Sequence, residues 1–291
     1  MDVEVAIPGD AELGESPVWD ADSQCLWWTD ILRGAVLRHD FRDGASEEYL
    51  VDSTVGAVAL HHPGSLLLAT GDGFRLLNTR NGRSTLLAAV EYVKPDNRMN
   101  DAKVDPAGRV WAGTTSMSSR QGAGTLYRLD TDGEVSAVVS GLTVPNGMAW
   151  SLDHRWFYHI DSPTKAIRRY AFDEETGMIG HHSSVLVDTS AHAGVPDGMT
   201  VDSEGGIWVC FWGGSSIRHY DETGHLVTEI DLPVSNPTSC CFGGSSLTDL
   251  FLTTARYGLS TEQISAQPLS GSILRLSGGV VGMPSVRCKI A

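Results

Sequence analysis

Six times along the chain the same phrase recurs: a polar turn, an apolar or aromatic strand, a gap, then a second strand that often ends in an Arg-x-Tyr-like stretch and another turn. The units are "WDADSQCLWWTD…GAVLRHDFRDG" from Trp19, "HHPGSLLLATGDGFRLLNTRNG" from His61 and "VDPAGRVWAGTT…GTLYRLDTDG" from Val104. They continue with "WSLDHRWFYHIDSPTKAIRRYAFDEETG" from Trp150, "VDSEGGIWVCFWGGSSIRHYDETG" from Val201 and "FGGSSLTDLFLTTAR…GSILRLSGG" from Phe242. Successive units start about 40 to 50 residues apart, the period of a four-stranded propeller blade. One blade cannot bury both faces of its sheet, whereas packing between two neighbours in a closed ring does so. The reading is an all-β chain: a single six-bladed β-propeller domain over residues 1–291, with a metal site in its central channel. A pair of many-stranded sandwiches is the nearest alternative, and the scarcity of helical periodicity argues against an α/β fold. The ring must close, and the spare N-terminal strand "VEVAI" is expected to complete the last blade beside "GMPSVRCKI".

The charge balance narrows the partners. With 36 acidic and 21 basic residues the formal charge is −15, and no run of Lys or Arg occurs. Nucleic acid and anionic membrane are therefore excluded as expected partners. The cysteines are odd in number, none lies in a C-x-x-C pair, and four sit in apolar strand-like text, which favours reduced packing residues and a cytoplasmic setting. The opening "MDVEVAIPGD" lacks a basic segment followed by an apolar one, and no stretch approaches the roughly 18 apolar residues of a spanning helix. A monomer or small homo-oligomer acting on a small molecule is expected.

Aligning the six units exposes a ring of related positions. The residue four places before each unit is Glu15, Ala57, Asn100, Asn146, Asp197 and Thr238 in turn. If this position lies at the entrance of each innermost strand, Glu15, Asn100, Asn146 and Asp197 converge on the channel. Such oxygens repel one another unless a cation sits among them, and an all-oxygen set favours a hard divalent ion such as Ca²⁺, Mg²⁺ or Mn²⁺, with Zn²⁺ or Fe²⁺ tolerated. Two carboxylates roughly neutralise such an ion, and amide oxygens complete its shell without adding charge. Asn or Asp before Gly, as in "PNGM" and "PDGM", is also ordinary turn chemistry. A Glu after Gly, as in "GES", is not.

Those stretches carry a resemblance. "LGESPVWD", "RMNDAKVDPAGRVWAGT", "VPNGMAWSLD", "FYHIDS", "VPDGMTVDSEGGIWV", "TSCCFGG" and "LTTARYGL" resemble the senescence-marker-protein/gluconolactonase/regucalcin-like family over essentially the whole chain. The resemblance implies a six-bladed propeller with one divalent cation, held by Glu15, Asn146 and Asp197. It assigns Asn100, together with Arg98, to substrate contact. It also implies a sugar lactonase, opening an aldonolactone such as gluconolactone in carbohydrate metabolism. In one respect the chain departs: relatives often carry acidic residues after "AGT", whereas "TSMSSRQG" has none between Thr114 and Gln121, which leaves the sugar open.

Asp197 is the candidate catalytic base, able to hold the cation with one oxygen and take a proton from water with the other. Arg98 offers a fixed fork of donors to ring or hydroxyl oxygens. No G-x-S-x-G elbow occurs. His61–His62 and His181–His182 are adjacent pairs, which strands point to opposite faces. Two further readings compete: a phosphotriesterase-like hydrolase using the same cation, and a non-enzymatic calcium-binding regulator in which the metal only fixes structure.

Overall fold

The computed structural model describes residues 2–291 and contains six antiparallel four-stranded sheets arranged as the blades of a propeller. Their innermost strands are Gly14–Asp20, Val55–Leu60, Asn97–Val104, Pro145–Trp150, Val195–Val201 and Pro237–Gly243. Each of the first five blades is a meander of four consecutive strands, and contacts between neighbouring inner strands close the ring, including those of the first and sixth blades. The apolar core consists of separate clusters rather than one centre. Trp111, Leu126, Met148, Trp150 and Phe157, for example, fill the seam between the third and fourth blades.

The repeated text has a mechanical reason. In "VDPAGRVW" and "VDSEGGIW" the aspartate locks the turn between the first and second strands. Asp105 Oδ1 accepts from the Ala107 and Arg109 N–H groups while Oδ2 accepts from Trp111 Nε1 at 3.1 Å. Asp202 does the same for Glu204, Gly206 and Trp208, the indole bond being 2.9 Å. One carboxylate thus ties a turn to the large buried ring beneath it.

Closure differs from the expectation. Val3–Ile7 does complete the last blade, but it pairs with Ile273–Ser277, not with the C-terminal "GMPSVRCKI". A closing strand needs a continuous row of free N–H and C=O groups, and the tail, interrupted by Pro284, does not supply one. Instead the tail crosses the far end of the channel. Gly282 donates to Leu247 O, Cys288 to Leu60 O and Ala291 to Thr131 O, and Arg287 pairs with Asp20 and Asp22. All five cysteines are free and buried. Among the described residues no helix is long and apolar enough to cross a membrane.

Candidate functional site

Every inner strand carries the same irregularity. In each of the six blades the register to the second strand slips by one extra residue: between Glu15 and Val18, Val55 and Ala57, Met99 and Ala102, Asn146 and Met148, Pro196 and Met199, and Pro237 and Cys240. A bulge bends its strand and re-aims the side chain beside it. The six aligned positions all fall at or next to these bulges, so the channel ring is a property of the fold. In the first blade Ser16 adopts φ 50°, a left-handed backbone that directs Glu15 inwards.

The glycines of "PNG" and "PDG" are not turn residues. A Cβ on Gly147 would lie 2.6 Å from Asp197 O, and one on Gly198 would lie 2.2 Å from Ser239 Oγ. They let neighbouring inner strands approach closely at the level of the ring.

The structure brings the predicted residues together. Asn100 Nδ2 donates to Asn146 Oδ1 at 2.5 Å and to Pro145 O at 3.0 Å. Arg98 Nη1 donates to Asn100 Oδ1 at 2.8 Å and to Met99 O at 2.9 Å. Glu15, Asn100, Asn146 and Asp197 are all buried. The other two ring positions are apolar or self-satisfied: Ala57 packs in the core, and Thr238 Oγ1 donates to Gly14 O across the ring closure. Glu15 and Asn146 are set by one repeated device. Asp30 accepts from the Glu12 and Leu13 N–H groups, and Asp161 accepts from those of Thr143 and Val144. In both blades an aspartate at the end of the second strand grips the chain just before the channel residue.

Electrostatically the site is unbalanced. Burial pushes the Glu15 carboxyl well above the usual carboxylate range and Asp101 adds to this, while the Ser16 N–H bond, Arg98 and Lys103 oppose it. Burial raises Asp197 likewise, with Glu15 and then Asp101 adding to it and Arg98 opposing. Burial also lowers the Arg98 guanidinium to about 10, against the pull of Glu15, Tyr257 and Asp197. Asp197 Oδ1 is buried and meets no donor among the described residues. A buried carboxylate oxygen without a donor is strongly unfavourable unless a cation or proton meets it. Among the described residues no group of three or more His, Cys, Asp or Glu side chains converges as a metal site. The channel set combines two carboxyls with amides instead. Its donors are all oxygens, the kind a hard divalent ion takes, so the residues present fit one.

Two residues escaped the sequence reading. Ser162 accepts from Asn146 Nδ2 at 2.8 Å and donates to Pro196 O at 2.7 Å, fixing which end of the Asn146 amide faces the channel. Its signal was present in "HIDS", directly after the gripping Asp161. Asp101 follows Asn100 in the chain and lies buried at the channel, its Oδ1 accepting among the described residues only from its own neighbour, Ala102 N. Ser118 is exposed in the loop after the second strand of the third blade, on the same end as Arg98, whose register partner is Thr115.

Comparison with known proteins gives a consistent picture. The SMP-30/gluconolactonase/LRE-like region matches residues 13–256, a span that includes Glu15, Arg98, Asn100, Asn146 and Asp197. Regucalcin of Gallus gallus is 39% identical over 279 residues, covering 94% of this chain and 93% of the relative. Among solved structures, a calcium-binding protein, regucalcin, from Agrobacterium tumefaciens superposes with a TM-score of 0.93 at 28% identity over 97% of both chains. A luciferin-regenerating enzyme does so with a TM-score of 0.93 at 28% identity over 99% of both.

Proposed function

The chain belongs to the SMP-30/gluconolactonase/LRE-like family, and we propose that its channel site hydrolyses a cyclic ester of the aldonolactone class with a divalent cation held by Glu15, Asn146 and Asp197. The observation that carries this reading is Asp197, a buried carboxyl whose Oδ1 meets no donor among the described residues and which the buried Glu15 carboxyl raises further. When bound, a divalent cation offsets the two carboxylates and polarises an ester carbonyl.

The chain's own groups supply the rest. Asp197 accepts the proton of the water that attacks the carbonyl carbon. The bond from the carbonyl carbon to the ring oxygen then breaks, and that oxygen takes a proton to leave the open hydroxy acid. Arg98 has guanidinium N–H groups beyond the Nη1 bonds to Met99 and Asn100, and these hold hydroxyl or ring oxygens. Asn100 is oriented by Arg98 and Asn146 and stands between substrate and ligand set. Regucalcin of Agrobacterium is described as calcium-binding, which supports a cation of the calcium class.

The test is acid release from a panel of aldonolactones and from a phosphotriester, each with chelator and after cation reconstitution. Release from lactones that chelation abolishes and a cation restores is expected. Turnover of the phosphotriester alone, or of nothing, overturns the reading.

A further inference from the structure

The mouth of the channel is walled by two aromatic rings that the chemistry above does not use. Trp212 ends the second strand of the fifth blade, and its register partner is Val195, two residues before Asp197. Tyr257 follows the second strand of the sixth blade, whose last residue, Thr254, pairs with Pro237 beside the ring position Thr238. Both rings therefore stand on the end of the ring that holds Asp197. Their centroids are 6.5 Å apart and the planes are tilted by 53°.

The wall is anchored, not loose. Tyr257 N donates to Glu12 O at 2.7 Å, and Asn236 Nδ2 donates to Tyr257 O at 3.1 Å. Trp212 packs on the small cluster of Leu13, Ile31 and Ala255. Tyr257 is nonetheless 48% exposed. Neither the Trp212 indole N–H nor the Tyr257 hydroxyl makes a hydrogen bond to the described residues, nor does Arg98 beyond Nη1. Across the ring the loop of the third blade presents the exposed Met117 and no acid. The entrance thus has apolar surface on facing sides with polar handles left free.

We propose that Trp212 and Tyr257 are specificity-determining residues whose rings hold a closed lactone by its C–H face and release the opened acid. This rests on the lactonase reading. An aromatic face is negative and attracts the weakly positive C–H edges of a ring laid on it. A five- or six-membered lactone presents such a face. Hydrolysis breaks the ring C–O bond, the chain unfolds, and the flat face is gone, although every hydroxyl that Arg98 can hold remains. The wall therefore acts on the closed ring, whereas the polar contacts also hold the carboxylate that opening creates.

Binding is measured by calorimetry on the cation-loaded protein with two probes, gluconolactam, a ring that keeps an amide in place of the ester, and open-chain gluconate. The parent protein binds the lactam. Tyr257→Ala weakens the lactam about five- to tenfold, the worth of one aromatic contact, and leaves gluconate within twofold. Tyr257→Phe, which keeps the ring, restores lactam binding. Equal weakening of both probes, loss of neither, or no lactam binding by the parent overturns the proposal. Lactone hydrolysis by the same parent preparation is a separate readout, so failure of the lactonase reading and failure of the aromatic wall are told apart.

Discussion

The inner strands of the second and fifth blades are built alike and used differently. Both carry a one-residue bulge at the channel, and both are buried almost throughout. In the second blade the ring position is Ala57, 1% exposed and packed with Ala69, Met99 and Ala102. In the fifth it is Asp197, also buried but with an oxygen that meets no donor among the described residues. The propeller therefore closes without a polar group at this position. Charged and without a cation, the carboxyls of the first and fifth blades oppose folding of the ring, and the proposed ligand offsets that cost. In the fold they are a liability; in the proposed site they are the chemistry.

Four outcomes break or sharpen that contrast. The largest is catalytic. Asp197→Asn keeps an oxygen ligand but removes the base, so the rate falls by about 10² or more while a cation still binds, more weakly. Asp197→Ala loses both. A metal-loaded Asp197→Asn protein that opens lactone at the parent rate would make the fifth blade no different from the second in kind.

The second outcome is pH-dependent stability of the cation-free protein. Glu15 is raised from 4.5 to about 8, so between these values the folded chain binds more protons than the unfolded one. Stability therefore falls as pH rises through that window, by an amount on the order of a few kcal/mol. Thermal unfolding in chelator from pH 5 to 8 reads this directly. Glu15→Gln should reduce the slope to the share that Asp197 and Asp101 contribute, and an added cation should offset the loss. An equally steep slope in Glu15→Gln would assign it elsewhere.

A smaller effect is expected one shell out. Ser162→Ala frees the Asn146 amide to turn, lowering cation affinity about tenfold, the usual worth of a group that orients a ligand. Unchanged affinity would mean that Asn146 is oriented by Asn100 alone. The smallest change is at the rim. Ser118→Glu adds a charge to an exposed loop, where an ion pair or charged contact contributes only about 0.2–1 kcal/mol. Relative kcat/KM across lactones should shift by severalfold at most, without loss of hydrolysis; an unchanged profile places that loop outside the substrate's reach.

The contrast also explains what could be read from the sequence. The six-fold text was legible because each blade repeats a local device, such as the aspartate that locks both a turn and an indole in the third and fifth blades. The ring positions were legible because the bulge recurs at a fixed place in each unit, which turns one-dimensional spacing into a convergence in space. Ser162 was not, because its role depends on how the fourth blade sits against Pro196 of the fifth. The partner of Val3–Ile7 was missed for the same kind of reason: closure is decided by which strand offers a free edge, and the two C-terminal candidates, Ile273–Ser277 and the tail, are close in sequence. The glycines of "NG" and "DG" kept their identity and changed their meaning, from turn formers to points of contact between blades.

The most direct test of the central claim is cation titration by calorimetry at neutral pH, comparing the parent with Asp197→Ala. Because Glu15 and Asp197 are both raised by burial in the cation-free chain, binding must displace protons, and buffers of different ionisation enthalpy will reveal them. The prediction is one divalent cation per chain with proton release, and no binding to Asp197→Ala. A parent protein that binds no divalent cation, or an Asp197→Ala protein that binds one as tightly as the parent, would contradict the account.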